Sequence, residues 1–114
     1  MPIEIEPEKE KYDCVLIDDE SLNHMTWSLY ASENNKSIKS FNKMADFMVE
    51  ASKIDLASPI YIDSNLGAEG KGEILAEAVS NLGFKRIYIA TGYEPSSLTA
   101  PVFVTGVVGK YPAF

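Results

Sequence analysis

The sequence predicts an α/β protein of three layers: a doubly wound, five-stranded parallel sheet with helices on both faces. Two observations carry this reading. Short apolar runs that stop abruptly at polar residues alternate with segments of helical periodicity. Two of those runs also share one design, Cys14-Val15-Leu16-Ile17 before Asp18-Asp19-Glu20 and Pro59-Ile60-Tyr61-Ile62 before Asp63. Continuous apolar runs of this length suit strands buried on both faces, and parallel neighbours need a helical crossover to bring the chain back.

The first strand is the Cys14 run. Leu22, Met25, Thr26, Leu29 and Tyr30 then recur at helical spacing from Ser21 to about Ser32, with Asn34-Asn35 as the stop. Ser37 to Phe41 reads as a more polar second strand near a sheet edge. Asn42 is placed to cap a helix whose Met44, Phe47, Met48 and Ala51 share a face. After the Pro59 to Asp63 strand come a glycine-rich loop, Gly67 to Gly72, and an amphipathic helix carrying Ile74, Leu75, Ala78, Val79 and Leu82, ended by Gly83. Arg86 to Ala90 is a fourth strand leading into Thr91-Gly92, and Val102 to Val108 a fifth. The stretch Pro95 to Pro101 is too broken for a full helix, so the fourth helix is expected to be shortened. No residues remain for a helix after the fifth strand, whose face is expected to be bare or covered by something else.

A chain of 114 residues with 46% hydrophobic content holds one core, so residues 1–114 are expected to form a single domain with a charged lead-in over residues 1–11. A net charge of −7 without a basic patch argues against binding nucleic acid unaided. Cys14 is the single cysteine, which excludes an internal disulfide, suits the cytoplasm and reads as a small buried strand residue. The charged lead-in has no apolar core for a signal peptide. No stretch reaches the roughly 18 apolar residues of a membrane span, so no membrane insertion by this segment is expected.

In open parallel sheets, functional groups gather beyond the carboxyl ends of the strands. Here those ends offer Asp18 and Asp19, Asp63, Thr91 and Lys110. Two like charges about 5 Å apart at an effective dielectric near 20 repel by about 3 kcal/mol, so three clustered carboxylates call for a cation. Mg²⁺ suits them, being a hard ion that takes one or two carboxylates and keeps positions for water and phosphoryl oxygens. Phosphoryl transfer to a carboxylate needs in-line positioning and neutralised oxygens. Asp63 is then the nucleophile, with Thr91 and Lys110 contacting the transferred group. Singly, each residue has a plainer reading: Asp18-Asp19 as a helix cap, Asp63 as a loop acid, Thr91 as a cap, Lys110 as a solvated lysine.

Val15-Leu16-Ile17-Asp18-Asp19-Glu20, Ile60-Tyr61-Ile62-Asp63-Ser64-Asn65-Leu66-Gly67, Ala90-Thr91-Gly92 and Lys110-Tyr111-Pro112 stand in the order found in response-regulator receiver domains, and from Tyr12 to Phe114 the chain resembles that family. The resemblance implies a flavodoxin-like sheet of order 2-1-3-4-5. It implies that Asp18 and Asp19 hold Mg²⁺, that Asp63 is phosphorylated and that Asn65 gives a backbone carbonyl to the metal. It further implies Thr91 as switch hydroxyl and Lys110 as its partner. The phosphodonor would be a histidine kinase or histidine phosphotransfer protein. The chain itself would be a stand-alone phosphorelay module or the terminal receiver of a hybrid histidine kinase.

Three departures bear on this. Tyr111 separates Lys110 from Pro112 where the family has Lys-Pro. Gly106-Val107-Val108-Gly109 lacks the usual aromatic switch residue, so that role is absent or moved, with Tyr93 as a candidate. The helices that members use for dimerisation and output are cut back. They motivate an alternative, a pseudoreceiver that binds proteins independently of phosphorylation. A hydrolase of the aspartyl-phosphate kind is disfavoured because Asn65 stands where its second acid belongs. Gly67 to Gly72 lacks phosphate-loop spacing. His24 reads as a surface or packing residue, and Trp27, off the apolar stripe, as partly buried.

Overall fold

The computed structural model describes residues 9–92 and 101–112. In chain order it contains β1 (Cys14–Ile17), α1 (Ser21–Glu33), β2 (Ile38–Phe41), α2 (Met44–Glu50), β3 (Ile60–Asp63), α3 (Gly72–Asn81), β4 (Ile87–Ala90) and β5 (Gly106–Val108), with 3-10 turns at Ala51–Lys53 and Gly67–Glu69. The strands form one sheet of order β2-β1-β3-β4-β5, and every neighbouring pair is parallel. Fold class and strand order therefore match expectation, including the half-buried β2 at an edge. The shortened fourth helix and Tyr93 lie outside the described residues.

Period-two alternation divides the strands between two layers. Val15, Ile17, Ile60, Ile62, Ile87 and Ile89 face α2 and α3, where they pack with Phe47, Ala76 and Val79. Cys14, Leu16 and Ala90 face α1 through Trp27, with Tyr61 and Val108 at the margin of that cluster. Burying each large apolar side chain contributes on the order of 2 kcal/mol. Burial also pushes the Cys14 thiol up to about 12, so it stays a neutral packing group.

Register sets the level of the strand ends. Ile17 pairs with Ile62, Asp63 with Ala90, and Ala90 with Val108. Asp18 and Asp63 consequently leave the sheet side by side, with Thr91 one residue and Lys110 two residues past the same line.

On α3 the expected apolar stripe is only partly turned inward: Val79 is buried, but Ile74, Ala78 and Leu82 are exposed and Ala76 takes the inner position. Three further local expectations need correction. The first concerns α1, which turns Trp27 and Ala31 to the sheet and leaves Leu22, Met25 and Leu29 between 59% and 67% exposed. The helix carries two apolar stripes on opposite sides. The large ring of Trp27, fully buried rather than partly, decides which one faces the sheet. Second, the fifth strand begins at Gly106. Val102 is fully exposed, and Val104 and Phe103 pack into the core from a turn that Thr105 ties to β4 through its N–H and the Ile87 carbonyl (2.6 Å). Third, Asn42 does not cap α2. The Glu69 carboxylate does so from the loop after β3, accepting from the N–H groups of Met44 (2.8 Å) and Ala45 (3.0 Å). An anion at a helix N-terminus satisfies unpaired donors and meets the positive end of the helix dipole.

Helix α3 starts hard against the end of β3. A Cβ built on Gly72 would stand 2.1 Å from the Asp63 carbonyl oxygen, and the Gly72 N–H donates to the Ser64 carbonyl at 3.1 Å. Gly72→Ala is expected to destabilise the fold by about 3 kcal/mol through this clash. Urea unfolding would report it as a lower midpoint with an unchanged slope, and a midpoint equal to wild type would contradict the close approach.

Candidate functional site

Asp18, Asp19 and Asp63 converge beyond the sheet, each with a carboxylate oxygen within 4.8 Å of the others. Lys110 reaches in from the segment after β5, its Nζ donating to Asp63 Oδ1 at 2.6 Å and to Asp18 Oδ2 at 3.0 Å. Asp19, Asp63, Asn65, Gly92 and Lys110 line an open cleft of about 430 Å³. Asp18 stands behind it, wholly buried, with Oδ1 accepting from the Glu20 N–H (2.9 Å) and Oδ2 also accepting from Asn23 Nδ2 (3.1 Å). Thr91, buried, follows β4 directly, its N–H donating to the Val108 carbonyl at 2.9 Å, and Gly92 rather than Thr91 forms the cleft wall.

The loop after β3 is shaped to serve this cleft. The Asn65 N–H donates to Asp63 Oδ1 at 3.2 Å, and Asn65 Oδ1 accepts from the Gly67 N–H at 3.0 Å, a tight Asx turn. Gly67, beside Asp19 Oδ2, has φ +61, a left-handed conformation that glycine adopts without strain.

Charge governs the chemistry. Burial pushes the Asp63 carboxyl up, the Lys110 ammonium pulls it part of the way back, and the Asp18 charge pushes it up again, leaving it above its ordinary value. For Lys110, burial acts downward, but the hydrogen bonds to Asp63 and Asp18 outweigh it and hold the ammonium above its ordinary value. Three carboxylates and one ammonium leave a formal charge of −2. The donor set fits a hard divalent cation: it is all oxygen, Asp19 and Asp63 face the cleft in front of the buried Asp18, and its span is close to the about 4 Å across an ion with ligands near 2.1 Å.

Two residues of α1 that the sequence reading left outside the site bear on it. His24 Nε2–H donates to the Asp18 carbonyl at 2.5 Å, and Trp27 Nε1–H donates to the Lys110 carbonyl at 2.8 Å. In the sequence Trp27 stands out only as one of a stripe, Asn23-Trp27-Ala31, opposite the main apolar one, which does not by itself name the contact.

The Asp63 shift fixes a sign. The folded chain holds a proton on Asp63 more readily than the unfolded chain, so the contribution of Asp63 to stability falls as pH rises from the ordinary carboxylate value through the raised one. Lys110 acts in the alkaline range, where its contribution is lost as pH rises through its own raised value. In metal-free protein followed by carboxyl ¹³C NMR, Lys110→Met is expected to move the Asp63 titration higher and Asp18→Asn to move it lower. Absence of both movements would show that the three groups do not share one field.

No family model matches the chain, and no curated protein matches it. Among solved structures it is similar to the N-terminal domain of a response regulator/sensory box/GGDEF 3-domain protein from Carboxydothermus hydrogenoformans, with a TM-score of 0.70 at 17% identity over 88% of this chain and 82% of that one. Among the described residues no helix is long and apolar enough to cross a membrane. The chain therefore has the five-stranded flavodoxin-like fold of that response-regulator domain, with an acidic cluster and a lysine at the carboxyl end of its sheet.

Proposed function

We propose that the chain is a phosphoacceptor receiver domain, in which Asp63 takes a phosphoryl group from a phosphohistidine on a histidine kinase or histidine phosphotransfer protein. The observation that carries this reading is the pairing of Lys110 Nζ with Asp63 Oδ1 at 2.6 Å beside two further aspartates in an open cleft. A buried carboxylate with an ammonium on one side and a solvent-facing cleft on the other is arranged for attack on an incoming electrophile.

Asp18, Asp19 and Asp63, with the Asn65 backbone carbonyl, are the groups assigned to Mg²⁺. When bound, the ion supplies positive charge that shields the attacking carboxylate from the phosphoryl oxygens. A carboxylate oxygen of Asp63 forms the new bond to phosphorus while the bond from phosphorus to the imidazole nitrogen breaks. The imidazole leaves with the electron pair and gains a proton from solvent. The Lys110 ammonium, already on Asp63, is positioned to pair with a phosphoryl oxygen of the product, and the Thr91 hydroxyl at the end of β4 is assigned the switch contact.

A second reading keeps a specific observation on its side. Strand β5 is Gly106-Val107-Val108 and carries no aromatic side chain to relay a movement of Thr91. A pseudoreceiver that binds its partner whatever the state of Asp63 has no need of one.

Incubated with Mg²⁺ and acetyl phosphate, the wild-type chain is expected to gain one phosphoryl mass, a gain prevented by prior chelation of the metal and absent in Asp63→Asn. Lys110→Ala should slow the gain at least about tenfold, as loss of a charge acting on the transition state does. An unmodified wild type beside an active control receiver would exclude the phosphoacceptor reading and leave the pseudoreceiver.

A further inference from the structure

Lys110 is held at its root as well as at its tip. It stands between Gly109, where an added Cβ would meet nothing within 4 Å, and Tyr111, which is 70% exposed. A lysine on such an open segment has a long flexible stem and many rotamers. Its ammonium nonetheless reaches two buried acids. Across 83 positions of chain, the Trp27 indole N–H donates to the Lys110 carbonyl at 2.8 Å. Trp27 is fully buried and lies edge-on against Tyr61, with ring centroids 5.1 Å apart, so its N–H has one direction in which to point. Nearby on α1, Tyr30 meets the ring of Tyr111 at 6.3 Å. The same helix holds the opposing acid, through His24 on the Asp18 carbonyl and Asn23 on Asp18 Oδ2.

We infer that Trp27 is a positioning residue for Lys110. Its indole N–H fixes the lysine's backbone carbonyl to a rigid helix that also holds Asp18, so that Nζ is delivered to Asp63 and Asp18 together. Trp27 touches no reacting atom. It supplies the constraint at Lys110 in a loop where Tyr111 separates the lysine from Pro112. The positional claim stands on geometry alone, whereas its consequence for reaction rate rests on the phosphoacceptor reading.

Trp27→Phe keeps an aromatic ring in the core and removes the donor. The first measurement is the ¹H–¹⁵Nζ signal of Lys110 in metal-free protein, assigned by its loss in Lys110→Ala. It should be distinct and slowly exchanging in wild type, and merged with the exposed lysines in Trp27→Phe. The second is a double-mutant cycle on phosphorylation by acetyl phosphate. Trp27→Phe should lower the rate about tenfold in the wild-type background and by less than about twofold in Lys110→Ala, since residues that act as a unit are not additive.

Equal rate losses in the two backgrounds would mean that Trp27 acts by packing, and would overturn the inference. If Trp27→Phe does not fold, benzothienylalanine at position 27 retains the bicyclic shape without the N–H and takes its place in both measurements. If wild type accepts no phosphoryl group, the phosphoacceptor reading fails. The Lys110 signal then decides by itself, and an unchanged signal after loss of the donor overturns the positioning role.

Discussion

The ammonium of Lys110 lying between Asp63 and Asp18 is the interaction on which the rest of the site depends. Without it, three carboxylates at the end of one sheet would repel one another in a partly buried setting, and the cheapest relief would be to protonate or to move apart. With it, they remain together yet carry an excess of negative charge. A site in that condition is stable enough to persist and still has a use for a further cation. Burial and the neighbouring Asp18 charge raise the Asp63 carboxyl despite its lysine partner, while against its own burial the Lys110 ammonium is raised by the two acids.

The fold serves that contact by bringing distant stretches of chain to one level. Parallel register sets Asp18 beside Asp63, and the crowding of Gly72 against the Asp63 carbonyl fixes where the following loop must turn. Glu69 anchors that loop to α2, and α1 closes the other side, with hydrogen bonds to both the acid and the lysine. The contacts of Lys110 with Asp18, Asp63 and Trp27 all join residues far apart in sequence. A local perturbation in α1 or in the loop after β3 should therefore be felt at Asp63.

Much of this was legible in the sequence, for a physical reason. Strands buried on both faces must be continuously apolar, so the Ile-rich runs stand out, and a polar residue marks where each leaves the sheet. Asp18, Asp63, Thr91 and Lys110 could be named from those boundaries alone. The orientation of α1 could not. Leu22, Met25 and Leu29 outnumber Trp27 and Ala31, and periodicity does not say which of two opposed stripes a sheet will accept. Val102 to Thr105 misled in a similar way, because an apolar run can fill a core from a turn as well as from a strand. Glu69 on α2 and Trp27 on Lys110 are side-chain contacts between separate elements, and no local pattern encodes them. Tyr111 between Lys110 and Pro112 signalled an altered loop, yet the ammonium arrives at Asp63 because its anchor is on another helix.

The most direct measurement is a crystal structure of the chain with Mg²⁺ and beryllofluoride. It should show a beryllofluoride adduct on an Asp63 carboxylate oxygen, a cation held by the surrounding aspartates, and the Lys110 ammonium on a fluorine of the adduct. An unmodified Asp63 with no cation among the acids, in crystals grown at saturating ligand, would contradict the phosphoacceptor reading.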